Sequence, residues 1–338
     1  MTVRACVLAG VGAWLPPDLV TNADLADRLD TSDDWIRRRT GIRQRHVASI
    51  GVAASDLAVK AGSRALRSAE VSQVDAVVLT TSTPDRPLPA TAPVVAARLG
   101  LGTVPAFDVS AVCSGFLYGL FVASGIVAAG NVDRVLLVAT EVYSSIVDPL
   151  DRSTAVIFGD GAAAVVLRAG TAGEHGALGP IMLGADGESG DLIQIPAGGS
   201  RQRTPKAPGD GYFQMAGNEV FRHAVLRMSE VSRQALAAAG WQSADVERLV
   251  AHQANARIIG ALGDELGLSP DRVLSNIETA GNTGSASIPL LLAQAAADGR
   301  LTTGQRVLLT AFGGGLAWGA ATLTWPGVVA LHPSEHPE

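Results

Sequence analysis

Cys113 is one of only two cysteines in the chain, and it lies in the stretch Asp-Val-Ser-Ala-Val-Cys-Ser-Gly-Phe at residues 108–116. This pattern predicts the end of a strand, a sharp turn and the start of a long apolar helix. A thiol at a helix N-terminus faces unpaired backbone N–H groups and the positive end of the helix dipole, which favour the thiolate. We therefore expect Cys113 to have a lowered pKa and to act as a nucleophile. The alternative is a small, buried and inert side chain.

Two further polar residues stand where catalytic groups are expected. His252 follows the apolar run at residues 249–251, and the C-terminal ends of strands carry the ligands in open α/β sheets. Asn282 stands at the start of a second apolar helix, as Cys113 does at the start of the first. Phe312 precedes three consecutive glycines, which allow backbone N–H groups to approach a ligand closely. These residues predict a Cys–His–Asn site with an oxyanion hole for a thioester carbonyl.

Both apolar helices belong to stretches without any charged side chain, at residues 109–132 and 279–297. The first stretch is long enough to cross a membrane, but its serines and glycines and the lack of flanking basic clusters favour a buried helix. Predicted strands at residues 75–80 and 134–140 recur at residues 248–251 and 306–310. The chain therefore contains an internal repeat in which strands and helices alternate.

An α/β fold of two halves related by a pseudo-twofold axis follows from this repeat. Each half predicts a parallel-type sheet covered on both faces, with the two apolar helices packed together between the sheets. The expected order of layers is αβαβα around one shared core, which brings Cys113 close to Asn282. We expect an N-terminal half at residues 1–172 with Cys113. We expect a C-terminal half at residues 173–328 with His252 and Asn282. A polar tail follows at residues 329–338.

Composition narrows the class of protein. The 338 residues are 47% apolar and 17% charged with a net charge of −6, which argues against general nucleic-acid binding. No zinc-ligand spacing is present, and two cysteines make no disulfide framework, which fits a reducing, cytoplasmic setting. The N-terminal sequence is typical of a first strand and not of a signal peptide. We expect no membrane association.

Several stretches, in this order and spacing, resemble the β-ketoacyl-acyl-carrier-protein synthase III family, the condensing enzymes that start fatty-acid or aromatic-polyketide chains. The resemblance extends from about residue 5 to residue 325. The matching stretches lie at residues 31–36, 39–43, 113–116, 158–162, 195–201, 217–221, 252–258 and 281–287. The resemblance implies the thiolase-like fold, which has the five-layer duplicated architecture inferred above.

The resemblance also implies a mechanism. Cys113 would take the acyl group of an acyl-CoA primer, and malonyl-acyl-carrier protein would then undergo decarboxylative condensation with it. His252 and the side chain of Asn282 would hold the enolate oxygen, and the N–H groups of Cys113 and Gly314 would hold the thioester oxyanion. The family implies no metal, no permanently bound cofactor and a homodimer. Its partners are acyl-CoA and acyl carrier protein.

The remaining site residues are carried over from the same resemblance. Trp35 and Arg152 would sandwich the adenine of CoA, with Thr31 and Arg39 beside the adenine and diphosphate. Residues that would contact the rest of the cofactor are Gly217, Phe221, Asn255 and Phe312. The carrier protein would bind Arg222 and Arg257, and the acyl pocket would include Leu88 and Phe158.

Two positions depart from the family pattern. Many relatives carry Phe where this chain has Leu88 in a loop that reaches the partner's acyl pocket, so we expect a roomier pocket. Gly284 replaces a serine, and the loss of helix propensity is about 1 kcal/mol. We expect catalysis to survive, with closer packing at this position.

Other members of the fold fit less well. A degradative thiolase needs a second cysteine near the C-terminal glycine-rich turn, and residues 312–319 contain none. Plant-type chalcone synthases have a different glycine turn, and Asn282 argues against elongating ketosynthases, which use a second histidine. Two alternatives stay open: an acyltransferase that passes the acyl group to a hydroxyl or amine without decarboxylation, and a non-catalytic partner subunit.

Overall fold

The short apolar runs that predict buried strands form the centres of two sheets. The computed structural model of the protein describes residues 4–335. Residues 1–3, in the predicted N-terminal half, and residues 336–338, in the predicted polar tail, lie outside the described residues. The strands are β1 (Ala5–Trp14), β2 (Asp18–Thr21), β3 (Gln44–Val47), β4 (Ala76–Thr80), β5 (Ala106–Val109), β6 (Arg134–Glu141), β7 (Gly161–Gly170), β8 (Leu178–Ala185), β9 (Ile193–Gln194), β10 (Gln214–Met215), β11 (Arg248–Ala251), β12 (Arg306–Gly313) and β13 (Ala317–Thr324).

Helices cover both faces of these sheets. They are α1 (Asn22–Ala26), α2 (Asp33–Thr40), α3 (Ala54–Ser68), α4 (Ala92–Arg98), α5 (Gly115–Ala128), α6 (Gly217–Ala239), α7 (Ala256–Glu265), α8 (Ile277–Ala280) and α9 (Ser287–Ala297). Among residues 4–335, no helix combines the length and apolarity that crossing a bilayer requires.

One sheet has five strands in the order β1-β7-β6-β4-β5, and the other has four in the order β11-β12-β13-β8. One side of each sheet is parallel, as predicted: β4 pairs in parallel with β5 and β6, and β11 pairs in parallel with β12. Towards the other edge of each sheet, β7 and β13 join their neighbours antiparallel. β13 follows β12 through the glycine turn at residues 314–316, and β7 follows β6 through a longer connection at residues 142–160.

The two uncharged helices lie together between the sheets. Residues of α5 and α9 share one hydrophobic cluster with both sheets, including the repeat-related Val78 and Val250. α9 needs no polar face because it is surrounded by apolar side chains, whereas α5 buries one side and exposes Phe121 on the other. α3 and α4 cover the outer face of the five-stranded sheet, and α6 and α7 cover that of the four-stranded sheet. The predicted αβαβα order with one shared core is confirmed.

Both central helices are shorter than the uncharged stretches that contain them. A turn of 3₁₀ helix precedes each one, at Val112–Ser114 before α5 and at Gly284–Ala286 before α9. β7 ends at Gly170 in one sheet and β8 begins at Leu178 in the other. The boundary between the halves at residues 172 and 173 stays a prediction that these two strand ends accommodate.

Leu291→Ala tests the dependence of the fold on the central layer. Leu291 in α9 is fully buried in the shared cluster, so its truncation leaves a cavity and lowers the free energy of unfolding by about 2–5 kcal/mol. Chemical denaturation followed by circular dichroism measures the change. Leu226→Ala, at an exposed position of α6, is the matched control. Equal losses in the free energy of unfolding of the two variants contradict the dependence of the fold on the central layer.

Candidate active site

Three polar residues from distant parts of the chain meet where the central helices begin. Cys113 lies in the turn before α5, His252 directly follows β11, and Asn282 lies between α8 and α9. All three line one small cavity of about 40 Å³, together with Phe312 and Gly313. Their exposed fractions are 8%, 2% and 5%. The prediction that the two helix starts bring Cys113 and Asn282 together is confirmed.

The backbone around Cys113 is unusual. Val112 has φ of 46°, a left-handed conformation that is uncommon for a β-branched residue. Gly313 lies against the other side of the turn, where a Cβ atom would come within 2.8 Å of the backbone nitrogen of Cys113. Gly313 is therefore the glycine that approaches the cysteine, whereas the α-carbon of Gly314 faces Ile193. The glycine turn is needed for this close approach.

Asn282 is held so that its side-chain amide group remains available as a donor. Its backbone N–H donates to the carbonyl of Ile157 and its own carbonyl accepts from Gly159, both at 3.0 Å. Its side-chain oxygen accepts the N–H of Gly284 at 2.9 Å. Because that oxygen is occupied, the NH₂ group is the part of Asn282 left to hydrogen-bond a molecule in the cavity.

His252 is held by its backbone and by one ring nitrogen. Its N–H donates to the carbonyl of Thr310 at 2.8 Å, and its Nδ1 is 2.6 Å from the hydroxyl of Ser287. The same hydroxyl oxygen accepts the N–H of Gln253 at 3.3 Å, which leaves its proton free to be donated to Nδ1. With Nδ1 as the acceptor of that proton, the proton of the ring itself lies on Nε2. Burial lowers the pKa of His252 to about 3, so the ring is neutral.

The predicted lowering of the Cys113 pKa is wrong. The pKa of this thiol is raised to about 12, mainly by burial and to a lesser extent by the nearby carboxyl of Glu141. Hydrogen bonds from Tyr143 and from the Cys113 amide act in the opposite direction. Removal from water therefore outweighs the helix terminus, and the resting group is the thiol.

Glu141, which sequence reasoning missed, is a buried carboxyl beside this centre. Its oxygens accept the Ser285 hydroxyl at 2.6 Å, the Ser82 N–H at 2.9 Å and the Thr83 hydroxyl at 3.2 Å. The pKa of Glu141 is raised to about 7, because the effect of burial exceeds the lowering by these hydrogen bonds. It joins β6 to the turn that precedes α9. Its position at the end of a buried strand is the one signal that could have marked it.

A larger cavity of about 410 Å³ opens from the small one. Five residues belong to the walls of both: Met215, Val220, Ala254, Ile258 and Asn282. At the outer end, the guanidinium of Arg152 lies 4.9 Å from the ring centre of Trp35, and that of Arg39 lies 5.4 Å from it. The predicted pair Trp35 and Arg152 is thus in direct contact. A planar ligand between them has to displace the arginine.

The other predicted binding residues divide into those that line this cavity and those that do not. Lining residues include Arg39, Gly217, Phe221, Asn255 and Arg257. Thr31 and Arg222 are outside the lining, and Phe312 belongs to the inner cavity. The Asn255 side chain is already engaged, since it caps α7 at the N–H of Arg257 and donates to the carbonyl of Arg39 at 2.9 Å.

Of the two predicted acyl-pocket residues, only Phe158 lines the small cavity within one chain, beside Cys113. Leu88 is 83% exposed in the loop before α4. A cluster of Tyr143, Phe158 and Phe213 packs next to the thiol, with ring centres 4.5–5.8 Å apart. Sequence reasoning did not find Tyr143 or Phe213.

Known families match both halves of the chain. The model of the 3-oxoacyl-[acyl-carrier-protein] synthase III family matches residues 107–187, and the model of its C-terminal part matches residues 236–325. β-Ketoacyl-[acyl-carrier-protein] synthase III 3 of Streptomyces coelicolor is 59% identical over 330 residues, which cover 96% of this chain and 98% of that protein. The synthase III of Pseudomonas aeruginosa is 51% identical over 326 residues, with 96% and 98% covered.

Solved structures have the same fold. A 3-oxoacyl-(acyl carrier protein) synthase III from Pseudomonas aeruginosa superposes with a TM-score of 0.91 at 50% identity, over 96% of this chain and all of that one. The priming β-ketosynthase of the R1128 polyketide biosynthetic pathway gives a TM-score of 0.90 at 34% identity, over 96% and 97% of the two chains.

We expect His252 to stay neutral, with its proton on Nε2, between about pH 5 and 8. Because burial lowers its pKa to about 3, the neutral form prevails at every pH above that value. Nitrogen-15 NMR of histidine-labelled protein reports both charge and tautomer. Ser287→Ala removes the hydroxyl at Nδ1 and should mix the two neutral tautomers.

Ser229→Ala is the matched control, because the hydroxyl of Ser229 donates to the carbonyl of Leu226 within its own helix. It should leave the His252 signals unchanged. A His252 signal that titrates within this pH range, or a tautomer that Ser287→Ala does not affect, contradicts the assignment.

Proposed function

This chain belongs to the 3-oxoacyl-[acyl-carrier-protein] synthase III family, and we propose that it starts acyl chains by condensing an acyl-CoA primer with malonyl-acyl-carrier protein. The observation that carries the proposal is the meeting of Cys113, His252 and Asn282 around one buried cavity. That cavity shares walls with a larger one that opens outward, as a site for a long, thin thioester substrate requires.

In the first step, Cys113 attacks the thioester carbon of the primer. The new bond joins its sulfur to the acyl group, the bond to CoA breaks, and the thiol proton ends on the released CoA. The N–H groups of Cys113 and Gly314 hold the oxyanion. The close approach of Gly313 to the cysteine supports this pairing, because the Gly314 N–H comes next along the chain.

In the second step, malonyl-acyl-carrier protein loses carbon dioxide and leaves an enolate. The Nε2–H of His252 and the NH₂ of Asn282 donate to its oxygen. The occupied Nδ1 and side-chain oxygen of these two residues support that role. The carbanion attacks the acyl carbon, the bond to Cys113 breaks, and the thiolate takes a proton from water. The chain's own donors hold both charges, so we propose no metal and no resident cofactor.

The outer cavity is proposed to hold the CoA. Adenine would enter between Trp35 and Arg152 after displacing the arginine, with Arg39 next to the diphosphate. Gly217, Phe221 and Asn255 would line the pantetheine channel and Phe312 its inner end. Thr31, which does not line the cavity, would lie near the adenine and diphosphate.

The acyl carrier protein is proposed to bind at the mouth of this cavity. Arg222 on α6 and Arg257 on α7 are both exposed, and Arg257 also lines the cavity. Two cations suit an acidic partner on a chain whose net charge is −6. We further propose a cytoplasmic enzyme, since Cys6 and Cys113 are both free thiols.

A homodimer is proposed from the unpaired edge of β5. Within residues 4–335, β5 pairs with β4 alone, so its other edge is free to pair with a second copy. Phe107 on β5, Phe121 on α5 and Leu88 are large apolar side chains exposed in the single chain. In the dimer, Leu88 would reach the partner's acyl pocket, where a leucine leaves more room than a phenylalanine.

The test is to incubate the protein with a panel of acyl-CoAs, alone and with malonyl-acyl-carrier protein, and to measure the masses of enzyme and carrier. We expect an acyl adduct on Cys113, a carrier that gains a 3-oxoacyl group, and one carbon dioxide per product. A preference for primers longer than acetyl is expected from Leu88, and a sharp peak at acetyl contradicts the roomier pocket.

Cys113→Ala is the control for the site of the adduct, and Leu88→Phe is the control for primer length. An acyl adduct without decarboxylation contradicts the condensing function and favours transfer to a hydroxyl or amine. No adduct with any thioester contradicts catalysis altogether and favours a non-catalytic subunit.

A further inference from the structure

Tyr143 packs beside the cysteine with no exposed surface. Its ring stacks on Phe158 with centres 4.5 Å apart and planes 6° from parallel. Phe213 meets it edge-on at 5.8 Å. Neither the repeat nor the family resemblance assigns Tyr143 a role. A tyrosine in such a position carries a polar hydroxyl into an apolar cluster, and a buried hydroxyl needs a hydrogen-bond partner.

Gly284 makes room for this ring. A Cβ atom at position 284 would lie 2.4 Å from Cε2 of Tyr143, and φ of Gly284 is +54°. Cγ of Glu141 would also lie only 3.0 Å from that Cβ. The departure from the family pattern at Gly284 therefore accompanies Tyr143, since a serine cannot occupy the position while the tyrosine ring stays in place.

The partner of the Tyr143 hydroxyl is the sulfur of Cys113. The two atoms are 4.0 Å apart, at the outer limit for a hydrogen bond to a thiol. Hydrogen bonds become shorter and stronger when the acceptor is ionised, so the contact between phenol and sulfur should tighten as the thiolate forms.

We propose that Tyr143 is a further catalytic residue, whose phenol O–H donates to the sulfur of Cys113 as the thiolate forms and so promotes attack on the primer. The inference rests on the proposed role of Cys113 as the nucleophile. No proton is transferred to or from the phenol. The pKa of Tyr143 is raised well above its ordinary value by burial and by the charges of Cys113 and Glu141, so the phenol keeps its proton.

The other titratable groups around the sulfur do not supply this donor in the resting site. Glu141 is an acceptor for five hydrogen bonds and raises the pKa of Cys113. His252 is neutral, and it lines the small cavity together with Asn282. Among these groups, Tyr143 is the side chain whose hydrogen bond favours the thiolate.

Tyr143→Phe removes one oxygen atom and keeps the ring in its packed cluster, so the variant should fold like the parent. We expect iodoacetamide to alkylate Cys113 roughly 10- to 100-fold more slowly at pH 8 in this variant, because a hydrogen bond to the ionised sulfur is lost. Mass spectrometry of the peptide that contains Cys113 gives the rate, and alkylation of Cys6, which is buried in the core, would report unfolding. The S–H stretching band of Cys113 in the infrared, assigned with Cys113→Ala, should also shift.

Tyr118→Phe is the matched control, because Tyr118 donates its hydroxyl to the carbonyl of Gly184 at 2.9 Å and makes no contact with the site. It should leave the rate and the infrared band unchanged. An alkylation rate of Tyr143→Phe within twofold of the parent overturns the proposal. A slower rate with an unshifted S–H band also overturns it, since that result indicates altered packing.

Alkylation requires neither acyl-CoA nor carrier protein. A parent enzyme that condenses normally, with Tyr143→Phe alkylated at the parental rate, removes this inference and leaves the proposed function intact. Slow alkylation of Tyr143→Phe in a protein that forms no acyl adduct supports this inference and contradicts the proposed function.

Discussion

The mutual burial of two uncharged helices is the constraint on which the rest of the structure depends. α5 and α9 have no polar face, so their stability depends on packing against each other and against both sheets. A helix start cannot be wholly apolar, because its first N–H groups need partners. Enclosing both starts together therefore places the polar groups of Cys113 and Asn282 at one point in the dry interior.

The exclusion of water determines the charge states of the side chains that meet there. Burial keeps the thiol of Cys113 protonated and the imidazole of His252 neutral, and the amide of Asn282 does not titrate. The resting centre thus carries no charge on the groups proposed to react. Hydrogen-bond donors that are already oriented and have no competing water give the greatest stabilisation when a substrate develops negative charge. Glu141, which accepts five hydrogen bonds, is an acidic group nearby.

Much of the site could be predicted because polar residues occupy equivalent positions in the two halves of the sequence. Cys113 and Asn282 were found by their equivalent places in two halves, and His252 by its place at the end of a buried strand. Ser287, Glu141 and Tyr143 could not be found in this way, because each acts through a contact with a residue more than 25 positions away. The raised pKa of Cys113 was missed for a related reason, since the depth of burial depends on both halves at once. Strand directions at the sheet edges likewise depend on turns whose geometry the sequence pattern does not specify.

The division of labour between Cys113 and the pair His252 and Asn282 is the central claim, and release of labelled carbon dioxide from carboxyl-labelled malonyl-acyl-carrier protein tests it most directly. Decarboxylation needs donors for the enolate but no nucleophile. Cys113→Ala should therefore still release carbon dioxide, whereas Asn282→Ala should lose roughly 10²–10³-fold in rate, as expected for one missing oxyanion donor. Rapid release by Asn282→Ala, together with none from Cys113→Ala, would contradict the account.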